Sequence, residues 1–213
     1  MKLILASSSI HRKKILEYLG LPFEILVPDI DEEAIKADSP YKLVQNIAFG
    51  KANKIYKSLK NDQAIILAAD SLALNQTGVV LGKPKDKQNA REILGSIIGT
   101  WHSLLTGYAI IRTNPYQEII QTAETKVLMR EVSDDQFEEY IQSEAWKDLA
   151  GGYGIQQEAS SFIKKIDGCF LNVVGFPLQE ICTHLNSLGL SIEMMKIKKA
   201  CETINSIHCC IPN

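Results

Sequence analysis

Ala64 to Ala69 form a nearly continuous apolar run that ends in a carboxylate, Asp70. A strand with apolar side chains at successive positions buries both faces, so it belongs inside a sheet with helices packed on each side. Leu72 to Leu74 continue the strand beyond Asp70. Asn75-Gln76-Thr77-Gly78 reads as a turn, and Val79 to Leu81 as the return strand. One polar, ionisable group is thus set into the end of a buried strand. The rest of the chain must cover that strand, and the charge is unfavourable there unless it is paired, hydrated or bound to metal.

Helix and strand signals do alternate along the chain, which points to an α/β or mixed α+β architecture. An apolar strand, Leu3 to Ala6, empties into Ser7-Ser8-Ser9. Helical spacing follows from Ile10 to Leu19, with Ser9 as N-cap and Gly20 as stop. Phe23 to Val27 reads as a second strand, followed by the acidic loop Asp29 to Glu33. Ser39-Pro40 has the form of a helix start, and the helix should run to Leu59 with Leu43, Ile47 and Ile55 on one face and Lys51 at its middle. Asp86 should cap a helix to Ile98. Leu104 to Arg112 and Glu118 to Arg130 should pair as an antiparallel hairpin around Asn114-Pro115.

Ser133 should cap a helix to Ser143. Gly151-Gly152-Tyr153-Gly154 reads as a flexible loop, Phe162 to Ile166 as a strand, and Pro177 to Leu188 as a helix. Residues 1–190 then form a single domain, and 191–213 a peripheral C-terminal helix and tail.

Composition excludes several function classes. The 213 residues carry a net charge of −2, with no broad basic field for nucleic acid or a membrane surface. Neither a signal segment nor a run of transmembrane length appears, so a cytoplasmic location is expected. Five cysteines cluster in the last quarter without a C-x-x-C pair. Cys209-Cys210 are read as reduced tail thiols rather than a metal site.

Hydroxyls, helix-start N–H groups and a guanidinium converge at Ser7, Ser9 and Arg12. That suits an anionic phosphate, although a plain polar turn has the same spacing. No G-x-x-x-x-G-K-[ST] loop is present. Asp70 is either a structural charge, capping or ion-paired, or a functional one, acting as general base or magnesium ligand. Glu32 in the acidic loop offers a second hard oxygen. Lys51 and Lys83 are unremarkable singly, but Lys83 lies between Gly82 and Pro84, which set its direction. His102 beside Trp101 reads as a packed interior histidine, and His11 as either a base contact or a solvated side chain.

Five segments in order, LASSSIHRKKIL, DIDEE, IAFGKA, AADS followed by LGKP, and LAGGYGIQ with NVVGFPL, resemble the Maf family of nucleoside triphosphate pyrophosphatases, once called septum formation proteins. The resemblance spans Leu3 to Leu188. It implies an elongated mixed sheet with flanking helices and two lobes around a cleft, similar to inosine triphosphatase-type enzymes. It also implies cleavage of a nucleoside triphosphate to monophosphate and pyrophosphate with a divalent cation, Mg²⁺ or Mn²⁺, and a homodimer. Asp70 matches the proton acceptor, and Glu32 with Asp70 would hold the metal. Ser7, Ser9, Arg12, Lys51 and Lys83 match the substrate-binding positions.

Three positions bear on the base. Ser71 stands for a threonine and Gln156 matches Y-G-I-Q, both leaning towards the dTTP/UTP type. His11 fits neither that type's arginine nor the tryptophan of the 7-methyl-GTP type. The expected function is therefore a dTTP/UTP pyrophosphatase that removes unwanted or modified nucleotides. The alternatives are a 7-methyl-GTP pyrophosphatase and a non-catalytic nucleotide-binding regulator of septum formation.

Overall fold

In the computed structural model, which describes residues 1–59, 63–147, 149–155 and 158–205, the apolar run beginning at Ala64 becomes a long interior strand. The strands are β1 (Lys2–Leu5), β2 (Glu24–Ile25), β3 (Ala64–Leu74), β4 (Val80–Leu81), β5 (Trp101–Thr113), β6 (Tyr116–Met129) and β7 (Ile163–Asp167). They form a seven-stranded mixed sheet in the order β2-β1-β3-β5-β6-β7, with β4 paired to β3. The helices are α1 (Ile10–Glu17), α2 (Pro40–Ser58), α3 (Lys87–Gly95), α4 (Asp134–Ser143), α5 (Phe170–Val173), α6 (Leu178–Ser187) and α7 (Met194–Asn205). The α/β class is as expected.

The chain divides into two compact units. The first comprises Met1–Ser71, Thr106–Ala123 and Phe170–Asn213, the second Leu72–Leu105 and Glu124–Cys169.

In the first unit β1 lies parallel to both β2 and β3, with Leu3 opposite Ile65 and Leu5 opposite Leu67. Side chains alternate across a strand, and the packing follows that rule. Ala64, Ile66 and Ala68 of β3 join Ala109 and Ile111 of β5 in one core cluster with Ala48, Ala52 and Ile55 of α2. The intervening β3 residues Ile65, Leu67 and Ala69, all buried, take the opposite face. Small residues let α2 sit low on the sheet. At Gly107 of β5 a Cβ would fall inside hard contact with the Val44 carbonyl and 2.7 Å from the Gln45 nitrogen.

The buried face of α2 is Val44, Ile47, Ala48, Lys51, Ala52 and Ile55. Leu43, expected there, is only half-buried, because the 3.6-residue turn carries Val44 rather than Leu43 onto the stripe through Ile47 and Lys51. The expected second strand shrinks to two exposed residues. One short helix, α5, has no sequence signal of its own. The C-terminal helix α7 packs on α5 and α6 and buries Ile197, Ala200 and Cys201.

In the second unit each helix begins at the expected cap. Asp86 Oδ1 accepts from the Asn89 N–H at 2.8 Å, and Ser133 with Gln136 forms a capping box. Helices α3 and α4 pack together, bridged by a two-pronged Arg91–Glu138 pair at 2.7 Å on each arm. Helix α3 stops at Gly95 rather than Ile98, where the chain turns into β5. The Gly151-Gly152 segment is no flexible loop. It is a buried 3₁₀ turn (Ala150–Gly152) whose Gly151 N–H donates to the Gly82 carbonyl at 3.1 Å.

Gly107→Ala should destabilise the fold by at least about 3 kcal/mol, because it overpacks against backbone that cannot yield. Thermal unfolding of the variant measures it, and wild-type stability would contradict the close α2–β5 approach.

Candidate functional site

Alternation along β3 decides where the charge goes. Asp70 falls in the register of Ile66 and Ala68, the α2 face, and its partner comes from α2. Lys51 Nζ donates to Asp70 Oδ1 at 2.8 Å and pairs with Glu32 Oε1 at 3.0 Å. The Lys51 side chain is 11% exposed and that of Asp70 13%, whereas Glu32 is 48% exposed.

Glu32 reaches that point because its loop is folded against α2. Asp31 Oδ1 accepts from the Ala34 N–H at 3.2 Å, and the Ile35 N–H donates to the Glu32 carbonyl. A Cβ at Gly50, the residue before Lys51, would meet Ile35 at 3.4 Å and Ile30 at 3.6 Å. The two loop isoleucines rest there, and they carry the acidic residues over the lysine.

Ser71, one residue on, belongs to the other face, where α1 lies. Its hydroxyl receives Arg12 Nη2 at 3.1 Å and lies 2.9 Å from Thr106 Oγ1. Arg12 also donates through Nη1 to the Ala69 carbonyl at 2.7 Å and through Nε to the Gly175 carbonyl at 3.0 Å. Three of its five N–H donors are thus taken by the protein. Burial pushes the guanidinium below its ordinary value, while the charges of Asp70 and Glu32 pull the other way. It remains a cation at any physiological pH.

The serine turn is built as its spacing suggests. Ser7, buried, accepts the Ser9 N–H at 3.1 Å, and Ser9 caps α1 by accepting the Arg12 N–H at 3.3 Å. His11 points into solvent.

The first unit therefore brings together Ser7, Ser9, Arg12, Glu32, Lys51, Asp70 and Ser71. Lys83 is exposed in the second unit, on a loop braced by the Gly151 bond to Gly82 and by Pro84, which would lie 3.2 Å from a Cβ at Gly152. Gln156, like Cys209 and Cys210, lies outside the described residues. Sequence reasoning passed over Thr106, a fully buried hydroxyl in an otherwise apolar stretch of β5. Its polarity there was the available signal.

Glu32 and Asp70 offer hard anionic oxygens on either side of one ammonium, the donor type a magnesium-like ion prefers. Among the described residues no group of three or more His, Cys, Asp or Glu side chains is placed to hold a metal. An ion on this pair would keep its other positions for water or a ligand's oxygens. Also among the described residues, no helix is long and apolar enough to cross a membrane.

The profile of the family described as Maf-like protein matches residues 2–188. A dTTP/UTP pyrophosphatase of Acetivibrio thermocellus is 36% identical over 200 residues, covering 90% of this chain and 98% of that protein. A dTTP/UTP pyrophosphatase of Symbiobacterium thermophilum is 40% identical over 191 residues, covering 90% of this chain and 96% of that protein. Among solved structures, a HAM1 protein from Coxiella burnetii matches 97% of this chain and 98% of its own, with 14% identity and a TM-score of 0.46.

His102 in the second unit is the packed interior histidine expected, 2% exposed, with Nε2 2.6 Å from the Tyr153 hydroxyl. Burial pushes its pKa down to about 4. The unfolded chain therefore binds the extra proton first, so stability is full above pH 6.5 and falls as pH drops from 6.5 towards 4. The loss amounts to about 3 kcal/mol. In His102→Gln that segment of the pH–stability curve should flatten, as denaturant titrations at pH 7, 5.5 and 4.5 would register.

Proposed function

The chain belongs to the Maf family, and from that membership we propose that it is a nucleoside triphosphate pyrophosphatase preferring dTTP and UTP. The observation that carries the reading is the Asp70–Lys51–Glu32 arrangement, a carboxylate within the long strand β3, 2.8 Å from a cation that a second carboxylate shares. It stands beside the serine turn at the start of α1 in the same unit.

The reaction joins a water oxygen to the α-phosphorus and breaks the bond from that phosphorus to the α–β bridging oxygen. Asp70 accepts the proton that water gives up, through the carboxylate oxygen that Lys51 does not hold. Pyrophosphate departs with the bridging oxygen and its electrons. Ser7, Ser9 and the N–H groups opening α1 bind phosphate oxygens, and Lys51 and the Arg12 charge oppose the negative charge that develops on the leaving group. The same motif match assigns Lys83 to the triphosphate and His11, Ser71 and Gln156 to the choice of base.

Arg12 and Lys51 are balanced by Asp70 and Glu32, so these four groups carry no net charge to offer a polyanion. A divalent ion, Mg²⁺ or Mn²⁺, fits that shortfall, with Glu32 and Asp70 as the residues that would hold it. When bound, it neutralises phosphate charge as a Lewis acid. The family reading also carries a cytoplasmic homodimer acting on unwanted or modified nucleotides. The dimer is open to sedimentation analysis.

The test is pyrophosphate release from a panel of canonical and methylated nucleoside triphosphates with Mg²⁺ or Mn²⁺. Preferential turnover of dTTP and UTP is expected. Turnover of 7-methyl-GTP alone would overturn the substrate preference, orthophosphate alone the bond cleaved, and no release at all the enzymatic reading. Asp70→Asn should lower kcat at least about a hundredfold with the fold intact by circular dichroism; near-normal turnover would remove Asp70 from the role of base.

A further inference from the structure

A general base on a strand works only while the strand is held still, and both neighbours of Asp70 are tied to one side chain. Arg12 grips the Ala69 carbonyl before it and the Ser71 hydroxyl after it, at 2.7 and 3.1 Å, and with its third arm holds the Gly175 carbonyl at 3.0 Å. We propose that Arg12 is a positioning residue for Asp70. In this role it clamps β3 on both sides of the carboxylate to the corner after α5, and Ser71, Thr106 and Gly175 complete the clamp. The proposal rests on the reading of Asp70 as base. It adds a different task for Arg12 from that of a phosphate contact.

The hydrogen-bond directions close on themselves. The Arg12 N–H donates to Ser71 Oγ. Thr106 lies 2.9 Å from that oxygen and donates to the Asn172 carbonyl at 3.3 Å. With the Thr106 proton so used, the Ser71 hydroxyl donates to Thr106 Oγ1, and each hydroxyl gives one bond and receives one. The Gly175 N–H donates to the same Asn172 carbonyl at 2.9 Å. The ring therefore runs from Arg12 through two hydroxyls to Asn172 and returns through Gly175 to Arg12.

Gly175 is fitted to this task. Its φ of +91° is one that a side chain disfavours, and a Cβ would stand 3.0 Å from Ser71 Oγ and 3.5 Å from Arg12 Nη2. Lysine cannot replace the arginine. One ammonium does not span acceptors that diverge from a planar fork, even though it keeps the charge.

Thr106→Val removes the hydroxyl at nearly constant shape and substitutes no residue assigned to the substrate. It should lower kcat for dTTP about tenfold with little change in KM, because it loosens the base without weakening binding. Thr106→Ser should restore turnover. Arg12→Lys should likewise act mainly on kcat. A rise in KM at unchanged kcat in Arg12→Lys, or wild-type kinetics in Thr106→Val, would overturn the proposal. Thermal unfolding of Arg12→Lys, Thr106→Val and the double variant gives a readout free of activity. Coupled losses support the ring and strictly additive ones refute it. A wild-type protein inert towards every nucleotide would bring down the reading of function, and Arg12's positioning task with it, while the unfolding cycle still decided whether the ring exists.

Discussion

The period of two along β3 is the constraint on which the site depends. Asp70 and Ser71 are adjacent in sequence and, by that period, fall on opposite faces of the sheet. The first meets the lysine of α2 and the second the arginine of α1. Sliding the register by one residue would exchange them and set a carboxylate among the hydroxyls of Thr106 and the corner after α5. The core cluster under α2 prevents that slip. Ala64, Ile66 and Ala68 are the same-face neighbours of Asp70 and are packed against Ala48, Ala52 and Ile55. Hydrophobic burial along the first half of the strand thus fixes the chemistry at its middle.

Placing charges there is unfavourable unless they are matched. Removing one partner from a buried ion pair costs about 3–5 kcal/mol, chiefly by stranding the other. Here Lys51 shares two carboxylates, one enclosed and one half-exposed, so water helps to solvate Glu32 while Asp70 depends on the lysine. Arg12 is held mostly by neutral acceptors. Its bonds to two carbonyls and a hydroxyl keep the fork in place without using up the negative charge that a cation would need. The unequal exposure of the two carboxylates makes Glu32 the freer of the pair to exchange its lysine for another cation.

Much of this was legible in the sequence, for identifiable reasons. Caps are local devices, so Ser9, Ser39, Asp86 and Ser133 were each readable as helix starts, and each accepts the expected backbone N–H. The buried strand and the aspartate that interrupts it were readable from apolar continuity. Long-range pairing was harder to read. That Lys51 meets Asp70 depends on Gly107 and Gly50 letting α2 and the acidic loop come close, and a glycine's want of a side chain leaves no pattern to detect. Arg12 looked like a free phosphate ligand because its acceptors are mainly backbone carbonyls, which sequence does not distinguish. The Gly151-Gly152 pair looked flexible because glycine supplies both loose loops and tight turns, and only the packing on Leu94 and Pro84 tells them apart.

The freedom at positions 10 and 11 follows from the same division of labour. A proline at the first helical position would pre-set the backbone. Ile10 is 66% exposed and gives nothing in its place. Helix α1 nevertheless starts where the phosphate reading needs it, because Ser9 captures the Arg12 N–H and Ser7 captures that of Ser9. The turn is thus held by its hydroxyls, and Arg12 by the clamp behind β3. Neither depends on the solvent-facing side chains between them. Positions 10 and 11 can change without disturbing the wall proposed to bind phosphate, which is the freedom that variation in base preference requires.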